Sequence, residues 1–98
     1  MSKCPKVSTE GAFHLVAHRS KLVRIAAQPG CCEVMIDTDG YRLRRTATQT
    51  WMFDARSHSG GDFTLELMHY SDAMSLLVNT LGQEHPDVDI DTNKLRCS

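Results

Sequence analysis

The sequence predicts a small α+β domain: an antiparallel sheet of four strands, or five, with two helices packed on one face. Three observations carry that expectation. Alternating stretches flank Asp39-Gly40, a pair favoured in two-residue hairpin turns. Phe63, Leu65 and Leu67 alternate with Thr64, Glu66 and Met68, the pattern of a strand with one buried face. Met74, Leu77, Val78 and Leu81 recur at helical spacing and form an apolar stripe.

In chain order, residues 1–8 read as a polar lead-in containing Pro5. From Thr9 to Gln28 two patterns compete. Phe13, Val16, Ser20, Val23 and Ala27 form a helical stripe, with Thr9 as N-cap and Pro29-Gly30 as the stop. Phe13, Leu15 and Ala17, then Val23, Ile25 and Ala27, alternate as a hairpin would. The intervening His18-Arg19-Ser20-Lys21 lacks the Gly, Asn or Asp of a tight turn, so the helix is favoured.

A turn at Asp39-Gly40 pairs Ile36 with Leu43 and Asp37 with Arg42. It places Val34, Ile36, Tyr41 and Leu43 on one face, and Glu33, Asp37, Arg42 and Arg44 on the other. Thr48 to Asp54 is rich in Thr and aromatic residues and reads as a third strand, Ser57 to Gly61 as a loop, and Phe63 to Met68 as the fourth strand. Ser71 or Asp72 caps the second helix, Gly82 ends it and Pro86 bars its extension. Asp87 to Asp91 alternates acids with Val88 and Ile90, as a short edge strand does. Residues 92–98 are expected to be a loose end, like residues 1–8.

The chain has 98 residues, room for one domain over 1–98, with 41% apolar and 23% charged residues. Leu, Ile, Val and Phe make up 21 residues, just above the level at which disorder is expected, and the net charge of −1 does not force expansion. The longest apolar runs are three or four residues, so a helical membrane span is excluded. No hydrophobic region follows the basic start, and a cleaved secretion signal is not supported. Cys4, Cys31, Cys32 and Cys97 show no zinc spacing. A Cys4–Cys97 bridge would tie the ends together, but reduced thiols in a cytoplasmic protein are the favoured reading. Charge is asymmetric: residues 1–56 carry +4 and residues 57–98 carry −5, which attract one another within a folded monomer.

Candidate chemistry is sparse. His14 and His18, one helical turn apart if the helix forms, are the candidate metal ligands, although no third ligand is specified and the general-base Glu of the metalloprotease helix is missing. Arg42, Arg44 and Arg45, with Trp51, are the candidate partner-binding residues. The arginines raise the question of nucleic acid, which a pI near 6.5 and neighbouring acids disfavour. Trp51 becomes an anchor only if exposed. Ser57-His58-Ser59-Gly60-Gly61-Asp62 holds hydrolase residue types without a P-loop Lys or a nucleophile elbow, and a hairpin connection accounts for it.

No catalytic residues are assigned and no cofactor is expected. The first reading is a small, non-enzymatic, cytoplasmic interaction protein of adaptor or inhibitor type, acting on a protein partner or on a second copy of itself. The second is a small-ligand or metal-binding domain, and the third binds nucleic acid through its arginines. An enzyme ranks last.

Overall fold

Val23 and Ile25, Val34 and Ile36, Tyr41 and Leu43, and Trp51, Phe53 and Ala55 are all buried at every second position. This period of two extends one core across successive strands. The computed structural model describes residues 14–18, 21–58 and 60–98, the first of these as backbone only. Its strands are β1 (His14–His18), β2 (Lys21–Gln28), β3 (Cys31–Ile36), β4 (Asp39–Arg45), β5 (Trp51–Ser57) and β6 (Gly61–Leu67). They form one sheet in chain order, every neighbouring pair antiparallel, which leaves β1 and β6 at the edges. Among the described residues a single α-helix, α1 (Tyr70–Glu84), lies on the apolar face with Ala73, Leu77 and Leu81 buried, and a 3₁₀ turn (Thr92–Leu95) packs near β2. Fully buried Leu77 belongs to the class of core leucines whose truncation to Ala costs about 2–5 kcal/mol.

The α+β class and the helix-on-sheet packing stand, and the element list changes. Residues 14–18 and 21–28 are two hairpin strands rather than a helix, while 9–13, 19 and 20 lie outside the described residues. Val23 and Ile25 satisfy both periodicities. Pairing on two sides, with β1 and β3, decides for the strand, because every backbone group of a central strand finds a partner there.

The β3–β4 turn is Asp37-Thr38, with Asp37 at φ 54°, and not Asp39-Gly40. Ile36 therefore pairs with Asp39, and Glu33, not Asp37, pairs with Arg42. The slip is an even number of residues, so each apolar side chain keeps its expected face. Asp37 ties the turn to β2: its backbone N–H donates to Leu22 O at 2.9 Å, and its carboxylate accepts from Leu22 N–H at 3.0 Å. The third strand starts at Trp51 because Thr46 to Thr50 closes a loop, with Thr46 N–H donating to Thr50 O at 2.8 Å.

Helix α1 is capped two residues before Ser71 and three before Asp72, the expected caps. Its N-cap is His69, whose side chain makes no capping bond. Gly82 lies inside the helix, which ends at Glu84 just before His85-Pro86. Asp87 to Asp91 forms no strand, and Leu95 and Cys97 are buried, so the stretch expected to be loose is packed down.

Candidate functional site

Polar side chains gather at the end of the sheet where β4 begins. Asp39 shares the face of Tyr41 and Leu43 but lies at its margin, beneath the C-terminus of α1. Its carboxylate accepts from His58 N–H at 3.1 Å, from His58 Nδ1 at 3.0 Å and from His85 Nε2 at 2.9 Å. The Lys21 ammonium can only donate, and it lies 3.2 Å from His85 Nδ1, so that nitrogen accepts and Nε2–H donates to Asp39. Lys21 also pairs with Asp87 at 2.8 Å. Burial pushes the Asp39 carboxyl up, but the hydrogen bonds from His58 and His85 outweigh it and hold the group below its ordinary value. Tyr41 OH donates to Glu84 Oε1 at 2.7 Å, and burial together with that carboxylate pushes the phenol up.

This cluster contains the residue types of a hydrolase without the relationships. Ser57 Oγ accepts from Gly60 N–H at 2.9 Å, and no hydrogen bond joins Ser57 to an imidazole among the described residues. Both ring nitrogens of His85 are committed to Lys21 and Asp39. Among the described residues no buried side-chain polar atom lacks a partner, and no three His, Cys, Asp or Glu side chains converge as a metal site. The cluster stitches β2, β4, the β5–β6 loop and the end of α1 together.

Two thiols form a second buried polar contact. Cys32 and Cys97 are free and hydrogen-bonded to each other. The bond from Cys32, helped by Tyr70 OH and Arg45, lowers the Cys97 thiol against its burial, whereas contact with Cys97 and burial push Cys32 up. Cys97 N–H also donates to Tyr70 OH at 3.2 Å, and its carbonyl accepts from Gly30 N–H at 2.6 Å, fixing the tail. The Cys4–Cys97 bridge weighed from the sequence is therefore not made. Cys31 is disulfide-bonded, contrary to the expectation of four reduced thiols.

The expected site residues separate. Arg42 and Arg44 lie on the open face of the sheet and share Asp54, at 3.4 and 3.9 Å. Asp54 also accepts from Thr64 Oγ1 at 2.7 Å. Arg45 lies on the opposite face, 6.0 Å from the centre of the Trp51 ring. Trp51 is buried and packed against Tyr70, ring centres 4.9 Å apart and tilted by 56°, so it is a core residue and not an exposed anchor. His14 and His18 sit at the two ends of β1, about 13 Å apart along an extended strand, so the one-turn spacing that made them a metal pair does not arise. An open-face cavity of about 250 Å³ is bordered by Glu33, Met35, Arg42, Asp54 and Arg56. A neighbouring hollow of about 340 Å³, bordered by Arg42, Asp54, Arg56, Asp62 and Thr64, reaches only the lower end of the ~300–1,000 Å³ usual for small-molecule sites.

The expected fourth strand, Phe63 to Met68, is present as β6 over Gly61–Leu67, but its exposure is not what the sequence pattern implies. Sequence alternation predicts one buried face, yet Phe63 is 38% exposed, Leu65 47% and the following Met68 72%. Helix α1 does not fully cover this margin, and among the described residues no strand pairs with the outer backbone edge of β6. The strand has seven residues in unbroken register with β5, from Trp51–Leu67 to Ser57–Gly61, and contains no Pro, no Lys and no bulge. Its acids, Asp62 and Glu66, project to the open face. Of the usual devices that blunt an edge, β6 carries only these two charges. One signal was available: the last strand of a meander is an edge by construction. No family model, curated protein or solved structure matches the chain.

Proposed function

We propose that the protein is a small, non-enzymatic interaction module that engages a protein partner through the β6 edge. The observation that carries this is the combination, on one strand, of exposed Phe63 and Leu65 with a backbone edge that no described strand pairs. Main-chain hydrogen bonds would supply affinity, and the alternate side chains would supply selectivity. The saturated polar cluster supports the non-enzymatic part, since its potential acids and bases already serve one another. The arginine face offers a second, charge-based surface, but Arg42 and Arg44 are partly neutralised by Asp54.

The test is site-directed photo-crosslinking in the cells that make the protein, with a benzophenone side chain at position 65 or, separately, at 44. Protein adducts at 65 and none at 44 are the expected result. Adducts at 44 alone would transfer the interaction to the arginine face, and none at either position would overturn the reading.

No described helix is long and apolar enough to cross a membrane. A cytoplasmic setting is supported by Cys32 and Cys97 lying side by side unlinked, and opposed by the disulfide at Cys31. The mass of the protein alkylated under denaturing conditions, taken directly from lysed cells, counts the thiols and decides between them.

A further inference from the structure

Away from the β6 edge, we infer that Cys32 and Cys97 form a dithiol redox site: a low-molecular-weight disulfide joins them, with Cys97 attacking first and Cys32 resolving. Two features of the structure carry this.

The first is juxtaposition. Cys32 lies within β3, opposite Ala27 on one side and Leu43 on the other, while Cys97 follows the 3₁₀ turn. Their thiols are nonetheless free, buried and hydrogen-bonded to each other. The backbone holds them there: Gly30 N–H donates to Cys97 O at 2.6 Å, and Cys97 N–H donates to Tyr70 OH at 3.2 Å. Packing alone does not call for sulfur at both positions, because a buried Cys fills space as a small apolar residue and is set apart by its reactivity. Two thiols kept in contact need only lose two hydrogens to be joined.

The second is unequal access. Cys32 sits in a strand paired on both sides, so its thiol is reached only by opening the sheet. Cys97 lies between exposed Arg96 and Ser98, in a short stretch that opens locally at lower cost. An incoming disulfide therefore meets Cys97 first. The surroundings favour the same order. The bond from Cys32, together with Tyr70 OH and Arg45, stabilises the Cys97 thiolate, whereas the bond to Cys97 and burial keep Cys32 protonated.

The steps balance as an exchange. The Cys97 thiolate attacks one sulfur of the small disulfide, whose S–S bond breaks, and one small thiol leaves with the proton that Cys97 gave up. Cys32 then attacks the Cys97 sulfur of the mixed disulfide, loses its own proton and expels the second small thiol. The protein has lost two hydrogens and two electrons, and the small disulfide has gained both. The new bond ties the tail to β3 and closes a loop over most of the chain, which restricts the unfolded state.

Glutathione disulfide, added to the full chain with its Cys31 bond intact, tests the inference. After acid quenching, the remaining thiols are alkylated under denaturing conditions, and masses and linked peptides are read. The expected product carries no glutathione, has two fewer alkylated thiols, and yields a peptide in which Cys32 is joined to Cys97. Its urea midpoint lies above that of the untreated chain. In urea, by contrast, glutathione adducts accumulate, because the contact that makes resolution fast is lost.

Variants assign the order. Cys32→Ser stops with one glutathione on Cys97, whereas Cys97→Ser reacts at least about tenfold more slowly than wild type. Cys32→Ala and Cys97→Ala repeat the assignment with apolar side chains, and thermal melting confirms which variants are folded. A folded wild-type chain that keeps both thiols, or that retains glutathione, overturns the inference. So does a bond from Cys31 to Cys32 or to Cys97, or a folded Cys97 variant that reacts as fast as wild type.

Discussion

The two ends of this sheet differ in how their valences are used. At the start of β4, Asp39, His58, His85, Lys21 and Asp87 form a linked cluster of ionisable groups, and each is tied to another. Along β6 there is little reactive chemistry, yet no described strand pairs with its outer backbone edge and Leu65 is 47% exposed. Reactive residue types alone would nominate the first region. Unmet bonding capacity nominates the second, since a group that already has its partners gains little from a new one, whereas an open edge gains main-chain hydrogen bonds.

The comparison is broken most directly at Asp39. Asp39→Asn replaces one carboxylate oxygen with an amide that can only donate, against donors from His58 and His85. The expected loss is about 2–4 kcal/mol, measured by urea unfolding near neutral pH. If the polar end were instead a functional site held at a cost in stability, the same variant would be more stable than wild type.

The sign of the pH dependence is also set. The folded-state pKa of Asp39 is lowered, so its contribution is present above the ordinary aspartate value, near 3.8, and is lost as the pH falls through the lower folded-state value. Wild type should therefore lose stability in that acid window more steeply than Asp39→Asn. Parallel acid profiles would remove Asp39 from the network's energetics.

Much of the fold was legible in residues 31–45 because two independent patterns coincide there. Val34, Ile36, Tyr41 and Leu43 declare a face, and an even register slip cannot change it. The register itself was misread because Asp39-Gly40 resembles a turn, while Asp39 is needed 46 residues away, at His85. Nothing local in the sequence announces that bond. At Val23 and Ile25 helical and strand periods agree, so only the flanking strands resolve them. The β6 surface was hidden for a related reason: Phe63 and Leu65 alternate as buried residues do, and exposure depends on how far α1 reaches across the sheet.

Smaller effects sharpen the contrast. Lys21 is only partly exposed and serves both His85 and Asp87, so Lys21→Met should cost about 1 kcal/mol. A loss that vanishes at high salt would mark a screened surface pair instead of a working part of the network. Leu65→Lys should shift stability by no more than about 0.5 kcal/mol while removing photo-crosslinks at the proposed β6 edge, because a half-exposed edge residue contributes little to the fold. A large loss of stability there would show that Leu65 belongs to the core and that the edge is less open than its exposure implies.

The smallest effect has the opposite sign and falls at Glu33, midway across the open face. Burial pushes this carboxyl up, against the attraction of Arg42 across the β3–β4 ladder. An acid whose folded-state pKa is raised costs stability wherever it is ionised in the folded protein, and the cost is relieved as the pH falls through the raised value towards the ordinary one, near 4.5. Glu33→Gln should therefore stabilise the protein near neutral pH, by about 0.5 kcal/mol or less, and the gain should disappear below about pH 4. Melting temperatures of the two proteins at pH 7 and pH 4 suffice. A destabilised variant at pH 7 would mean that the Arg42 attraction outweighs desolvation. The open face would then resemble the saturated end of the sheet, with its charges held by one another rather than left for a partner.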